Sequence, residues 1–232
     1  MIVSGLDNPF WASLHGPHRG LAMRRGDAAR YPPAFAPFVG VPDSDMHVDA
    51  GLASLVAQDE SVLLLGVAPR VTPAWQLEPL EVLAQMICEV PVPVTDGPEI
   101  IALDQSRRAD VLALTALVYP HYFRSRTMEM GRYFGIYRDG RLAAMIGERL
   151  GTETHTEMSA ICTHPDFAGR GYARRLTAFL TNGTLARGHT PFLHVSYGNP
   201  RAKLLYERIG YRLRRDIPLW ALRRCERVTS PG

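Results

Sequence analysis

The sequence has only three cysteines, Cys88, Cys162 and Cys225, across 232 residues. They are odd in number, and none belongs to a Cys-x-x-Cys pair. A disulfide framework is excluded, and a reducing, cytoplasmic setting is expected. Long apolar runs are also missing. The longest, such as residues 62–68, fall far short of the roughly 20 residues of a membrane span. The N-terminus has no basic segment followed by an apolar one, so neither a signal peptide nor a membrane partner is expected. Charge of one sign is scarce: 26 Lys and Arg against 23 Asp and Glu leave +3, too mild to imply nucleic acid. There is no internal repeat, no low-complexity tract and no glycine loop ending in Gly-Lys-Ser/Thr. His15 and His18 are separated by Gly-Pro and read as a turn, so no metal is expected.

Hydrophobic residues make up 46% of the chain, enough for one large domain or a domain with a smaller partner. Residues 91–98 carry three prolines and a glycine, which stop a helix and weaken a central strand. This hinge places a boundary between residues 1–95 and 96–232. Before it, residues 9–14 read as a helix capped by Asn8, 21–25 as a strand and 31–42 as an ordered loop. Residues 50–58 read as a helix with Leu52, Leu55 and Val56 on one stripe, and 61–67 as a buried strand. Residues 80–88 fit a strand or a helix.

After the hinge the signals strengthen. Residues 99–103 form a strand, and 107–118 a helix burying Val111, Leu114, Thr115 and Val118, stopped by Pro120. Strands 134–137 and 142–150 flank Asp139-Gly140, a hairpin signal. Then come strand 157–163, a helix at 171–187 with Ala173, Leu176, Leu180 and Gly183 on one face, strand 192–196, helix 200–209, and two short strands within 211–224. The order predicts an α/β fold built on a mixed sheet.

The informative stretch is 161–176. A strand ends near Thr163, Pro165 begins a turn, and Gly169 and Gly171 lead directly into an amphipathic helix. Glycines permit tight curvature and let backbone amides face a ligand. The first helical N–H groups lack internal partners, and the helix dipole adds partial positive charge. Such a terminus suits a pyrophosphate. Arg170, Arg174 and Arg175 are available to add contacts. Gly-x-Gly alone is equally a simple turn. It is not a dinucleotide fingerprint, because the third glycine and the downstream carboxylate are missing.

A second element follows at 199–211: Asn199, Ala202, Leu205, Tyr206, Gly210 and Tyr211 in the pattern Asn-x-x-Ala-x-x-Leu-Tyr-x-x-x-Gly-Tyr. With both elements in this order, residues 98–224 resemble the GNAT superfamily of acyl-CoA-dependent N-acyltransferases. Residues 159–165 and the N-terminal extension look like its FR47-like branch. The resemblance implies the GNAT fold preceded by a degenerate α/β half-domain. It implies acetyl-CoA or another acyl-CoA as co-substrate, and a small-molecule or peptide amine as acceptor. The pyrophosphate would lie on Ala168, Gly169, Arg170, Gly171, Tyr172, Ala173 and Arg174. Ala168 stands where the family has Arg or Gln, so one side-chain contact is missing. Ile161, Cys162 and Thr163 would bind the pantetheine arm through their backbone, as their strand splays from its neighbour at 192–196. Asn199, Lys203 and Tyr206 complete the cofactor set.

Direct attack of an amine on a thioester needs a proton donor for the leaving thiolate. The resemblance assigns that role to Tyr206, which without it reads as a core tyrosine on the stripe Ala202, Leu205, Tyr206, Ile209. Two carboxylates on central strands are candidates for the base. Glu148 alternates onto the face of Leu142, Ala144 and Ile146, and Glu157 opens the strand leading to Cys162. A structural ion pair is the competing reading for each. Cys162 reads as a buried strand cysteine and His194 as a satisfied core or rim histidine. A non-catalytic acyl-CoA sensor is the alternative function. The sequence leaves the oligomeric state open.

Overall fold

The computed structural model describes residues 4–47, 50–118 and 122–225. The chain falls into two units. The first takes Met1–Pro33, Pro37–Leu83 and Ile217–Gly232; the second takes Ala34–Ala36 and Ala84–Asp216. This division differs from a cut at residue 95 in three places, the first being Ala34–Ala36, which group with the second unit. Residues 84–95 also group with the second unit, and the chain from Ile217 onward groups with the first.

In the first unit, helix α1 spans Pro9–His15, with Pro9 pre-set for the first helical turn. Asn8 stands at its N-cap position but makes no capping bond; its Nδ2 instead donates to Val41 O at 2.7 Å. The side chain is drawn off the helix to tether a loop. Strands β1 (Met23–Arg25), β2 (Ala28–Arg30) and β3 (Val39–Gly40) form a small antiparallel sheet. The segment expected as an ordered loop therefore contains β3, and its Tyr31 and Phe38 are buried. Phe10 stacks on Phe38 at 4.2 Å. Helix α2 (Ala50–Leu55) is shorter than the expected 50–58; its Leu52 and Leu55, with Val56 just past its end, are buried with Val62 and Leu64 of β4 (Ser61–Leu65). Buried Arg30 is neutralised by a bidentate pair to Glu60, at 2.5 and 2.6 Å.

The second unit begins within β5 (Trp75–Ile87), which resolves residues 80–88 as a strand. Its side chains alternate with a period of two: Ala84, Met86 and Cys88 enter one core while Gln85 points to the other face. There follow β6 (Ile101–Ala102), α3 (Arg108–Val118), β7 (Tyr133–Arg138), β8 (Arg141–Gly151), β9 (His155–Thr163), α4 (Tyr172–Leu185), β10 (Thr190–Ser196), α5 (Pro200–Ile209) and β11 (Arg212–Arg224). Val111, Leu114 and Thr115 of α3 are buried, but Val118 is exposed, so the stripe ends one turn early. Pro120 lies outside the described residues. Asp139 and Gly140 both take positive φ, 52° and 72°, as a tight hairpin turn between β7 and β8 requires.

Strand order in this unit is β11-β5-β10-β9-β8-β7-β6. β9 and β10 run parallel, and β6 to β9 are joined antiparallel. The two short strands expected at 211–224 are one. Its later half, in the first unit, pairs with β4 from Leu219↔Leu65 to Arg223↔Ser61. The buried face of α4 is wider than expected: Leu176 and Leu180 are joined by Tyr172, Thr177, Ala178, Thr181 and Thr184, while Ala173 and Gly183 are half-buried. Buried threonines are tolerated because their hydroxyls are bonded, Thr177 to Ala173 O at 2.8 Å and Thr181 to the Tyr211 hydroxyl at 2.7 Å. Among the described residues no helix is long and apolar enough to cross a membrane.

Candidate active site

The loop from β9 to α4 is built by short-range bonds. His164 Nδ1 accepts from Asp166 N–H at 3.2 Å, and Ala168 N–H donates to Pro165 O at 3.1 Å. Gly169 and Gly171 then both adopt φ 77°, a region that side chains other than glycine's rarely enter. A Cβ at either would meet no protein atom within 4 Å, so the loop borders open space. Gly171 is the N-cap of α4 and supplies no side-chain cap. The first backbone bond of the helix runs from Arg175 N–H to Gly171 O at 3.0 Å. The amides of Tyr172, Ala173 and Arg174 thus lack an intrahelical acceptor, and the dipole adds positive potential. The arrangement can hold a phosphate-like anion.

The arginines beside the loop divide in role. Arg170 lies over the Phe167 ring at 5.1 Å and is exposed, as is Arg174. Arg175 turns to the proline-rich segment, donating from Nε to Pro98 O at 3.0 Å and from Nη1 to Thr95 O. It anchors that segment instead of facing the loop.

β9 and β10 share three Cα pairs, Thr190↔His155, Pro191↔Thr156 and Phe192↔Glu157. Both strands continue beyond this point without further pairing to each other, and so form a fork. On its other edge β9 stays joined to β8 through Ala144↔Thr163 and Met145↔Cys162. One extra residue is accommodated between Ser159 and Cys162, where Ala160 takes φ 50°. The Cys162 thiol donates to Ala160 O at 3.4 Å, and burial pushes it up to about 12. It stays protonated at neutral pH, as a packing cysteine should.

Beyond β10, Asn199 Oδ1 accepts from Ala202 N–H at 3.1 Å and caps α5. Tyr206 is buried on this helix within the core that holds Val195, Ile209 and Tyr211. Lys203 pairs with Glu207 at 2.5 Å and lies 6.0 Å from the centre of the Tyr197 ring.

A GNAT-family protein from Novosphingobium aromaticivorans is 36% identical over 97% of this chain and 100% of its own, with a TM-score of 0.85. The chain belongs to the GNAT family of acetyltransferases. The family described as FR47-like protein matches residues 133–221, from β7 into β11. The fold is shared with a GCN5-related N-acetyltransferase from Kribbella flavida, 15% identical over 90% of this chain and 92% of that one, TM-score 0.63. A GCN5-related N-acetyltransferase-like protein from Streptococcus suis, 14% identical over 85% and 84%, gives 0.54. No curated protein matches the chain.

In this GNAT chain the two central carboxylates are both committed to cations. Glu148 is buried on β8 and receives Arg132 at 2.7 Å and Arg187 at 2.5 Å. Its face is that of Ile146 and α4; Leu142 packs on the opposite side, because the register shifts between Ile136 and Tyr137 of the neighbouring strand. Burial raises the Glu148 carboxyl, but the Arg132 bond and both guanidinium charges outweigh it and the net shift is downward. Glu157 is more deeply buried. Arg149 grips both of its oxygens at 2.8 Å, and His194 Nδ1 lies 2.7 Å from Oε1. Burial again opposes ionisation, yet Arg149 and His194 bring the carboxyl down to about 2. The structure thus joins Glu157 to Arg149, His194 and Gln85, whose linkage the sequence reading missed. Polar residues at inward positions of apolar strands were the only signal.

Proposed function

We propose that this GNAT chain moves an acetyl or other acyl group from acyl-CoA to a primary amine by direct attack. The carrying observation is the pair of left-handed glycines at the head of α4, whose Cβ positions open on free space beside unpaired helix amides. Residues 168–174 would hold the pyrophosphate, with the exposed Arg170 and Arg174 beside it to add charge. Ile161, Cys162 and Thr163 would offer backbone groups to the pantetheine arm along the edge of β9 that leaves β10, and to the thioester oxygen as it gains charge. Asn199 would act through its cap, holding α5 beside β10, and Lys203 would lie near the cofactor through the same helix. Tyr206 would hold its proton at the phenol oxygen until the thiolate leaves.

The base is the open role. Glu148 and Glu157 are the candidates the sequence offers, but a carboxylate held by guanidinium groups is ionised and a weak proton acceptor. We read both as structural. That reading favours a second one, an acyl-CoA-binding sensor without turnover. Calorimetric titration with CoA, followed by thioester consumption against a panel of amines, tests both. No CoA binding sinks the proposal, and binding without consumption by any amine favours the sensor. We also read the N-terminal region as a degenerate half-domain without a CoA loop. The titration should then give one CoA per chain; two would reject that reading.

A further inference from the structure

Five polar side chains cross one face of the second unit's sheet in a row. They come from adjacent strands: Arg149 on β8, Glu157 on β9, His194 on β10, Gln85 on β5 and Arg214 on β11. Each touches the next. Arg149 donates twice to Glu157, and His194 Nδ1 lies 2.7 Å from Glu157 Oε1. His194 Nε2 lies 3.0 Å from Gln85 Nε2, and Arg214 Nη1 donates to Gln85 Oε1 at 2.8 Å. Gln85, Glu157 and the His194 side chain are 0%, 1% and 3% exposed.

The row assigns its own protons. Arg214 only donates, so it takes the Gln85 oxygen and leaves the amide nitrogen facing His194. That nitrogen also only donates, so His194 Nε2 must accept. Nδ1 then carries the hydrogen and donates to Glu157.

Its location gives the row a purpose. Phe192↔Glu157 is the last Cα pair of the β9–β10 ladder, and His194 is the next residue of β10 on the same face. The His194–Glu157 bond therefore joins the two strands where the backbone bonds stop. A buried bond to a charged group is strong and directional. Arg149 on one side, and Gln85 with Arg214 on the other, prevent either partner from turning.

We propose that Glu157 and His194 are positioning residues. Their hydrogen bond pins the base of the fork and sets the separation of the free edges of β9 and β10 that receive the acyl-CoA arm. The inference rests on the acyl-CoA reading of the fork, and it competes with a role for His194 as proton acceptor.

Three substitutions separate these ideas. His194→Asn keeps a donor near the place of Nδ1. His194→Gln keeps a polar amide near Nε2 but no donor to Glu157 at the Nδ1 position. His194→Phe keeps the ring alone. CoA affinity by calorimetry, KM and kcat are measured on the full chain, with hydrogen exchange of amides 158–162 in the free protein. The pin predicts that Asn behaves like wild type. Gln and Phe should weaken CoA about tenfold, raise KM more than they lower kcat, and speed exchange in 158–162. If Phe fails to fold, Gln carries the same comparison. Unchanged CoA affinity and exchange in a folded Phe or Gln variant overturn the pin. So does an Asn variant that binds CoA normally but has lost turnover, which would make His194 the proton acceptor. If wild type binds no CoA, the functional reading fails by itself and the exchange comparison still decides the pin.

Discussion

Arg187, two residues beyond the end of α4, sets its guanidinium 2.5 Å from Oε1 of Glu148 on β8. Arg132 reaches the same carboxylate from just before β7. One buried anion thus ties the end of α4 to the sheet. α4 has 14 residues, so this tie lies about 20 Å along the helix from the glycine loop.

Removing that anion should damage stability and spare cofactor binding. Glu148→Ala leaves two cations converging on a buried site, at a cost of about 3 kcal/mol, the low end of the range because both arginines are partly exposed. Denaturant melts should report the loss, with the CoA dissociation constant unchanged. A Glu148→Ala protein of wild-type stability would show that the triad contributes nothing.

Acid should expose the Glu157 pair. Its folded carboxyl lies near 2, below the ordinary value of 4.5. In the window between these values the unfolded chain binds a proton that the folded one does not, so stability falls as pH drops. The contribution is complete above the unfolded value and is lost as pH passes down through the folded one. Chemical denaturation at several pH values from 5 to 2 should give a shallower slope for Glu157→Gln than for wild type. Parallel slopes would reject the pairing.

Gly171→Val forces a β-branched residue to φ 77° and points its side chain into the space assigned to the ligand. CoA affinity should fall at least tenfold, since the free loop relaxes away from this backbone shape and binding must restore it at a cost of roughly 1–3 kcal/mol, before any ligand clash. Calorimetry on the folded variant checks this, and unchanged affinity would remove the loop from the cofactor site.

Tyr206→Phe retains the ring in its buried place and deletes one hydroxyl. CoA binding should persist while kcat falls by ~10²–10⁴, the usual range for a lost general acid. Turnover equal to wild type, in an assay limited by chemistry, would return Tyr206 to the core.

Local signals were legible in the residues alone. α5 spans Pro200–Ile209 as expected, because Asn199, Pro200 and Gly210 mark its ends within one turn of chain. The Asp139-Gly140 hairpin and the Gly169–Gly171 approach to α4 are read the same way, since glycine admits a left-handed backbone whatever surrounds it. Strand alternation also placed Glu148 on an apolar face, where a carboxylate needs a partner, whereas Glu157 was marked only as the residue that opens its strand.

The identity of those partners was decided only by the tertiary structure. Gln85 meets His194 across 109 residues of chain and Arg214 across 129. Alternation tells which face a side chain takes, but not which strand lies beside it. That choice depends on the β11-β5-β10-β9-β8 order, which long connections leave open in the sequence. The point where β9 and β10 part, the positive φ of Ala160 and the single strand at 212–224 belong to the same class. The sequence determined the glycine loop, the helices α4 and α5 and the family pattern, because each is written in neighbouring residues. The buried row behind the fork was decided by the sheet, because hydrogen bonds between strands are made by proximity in space and carry no local signature.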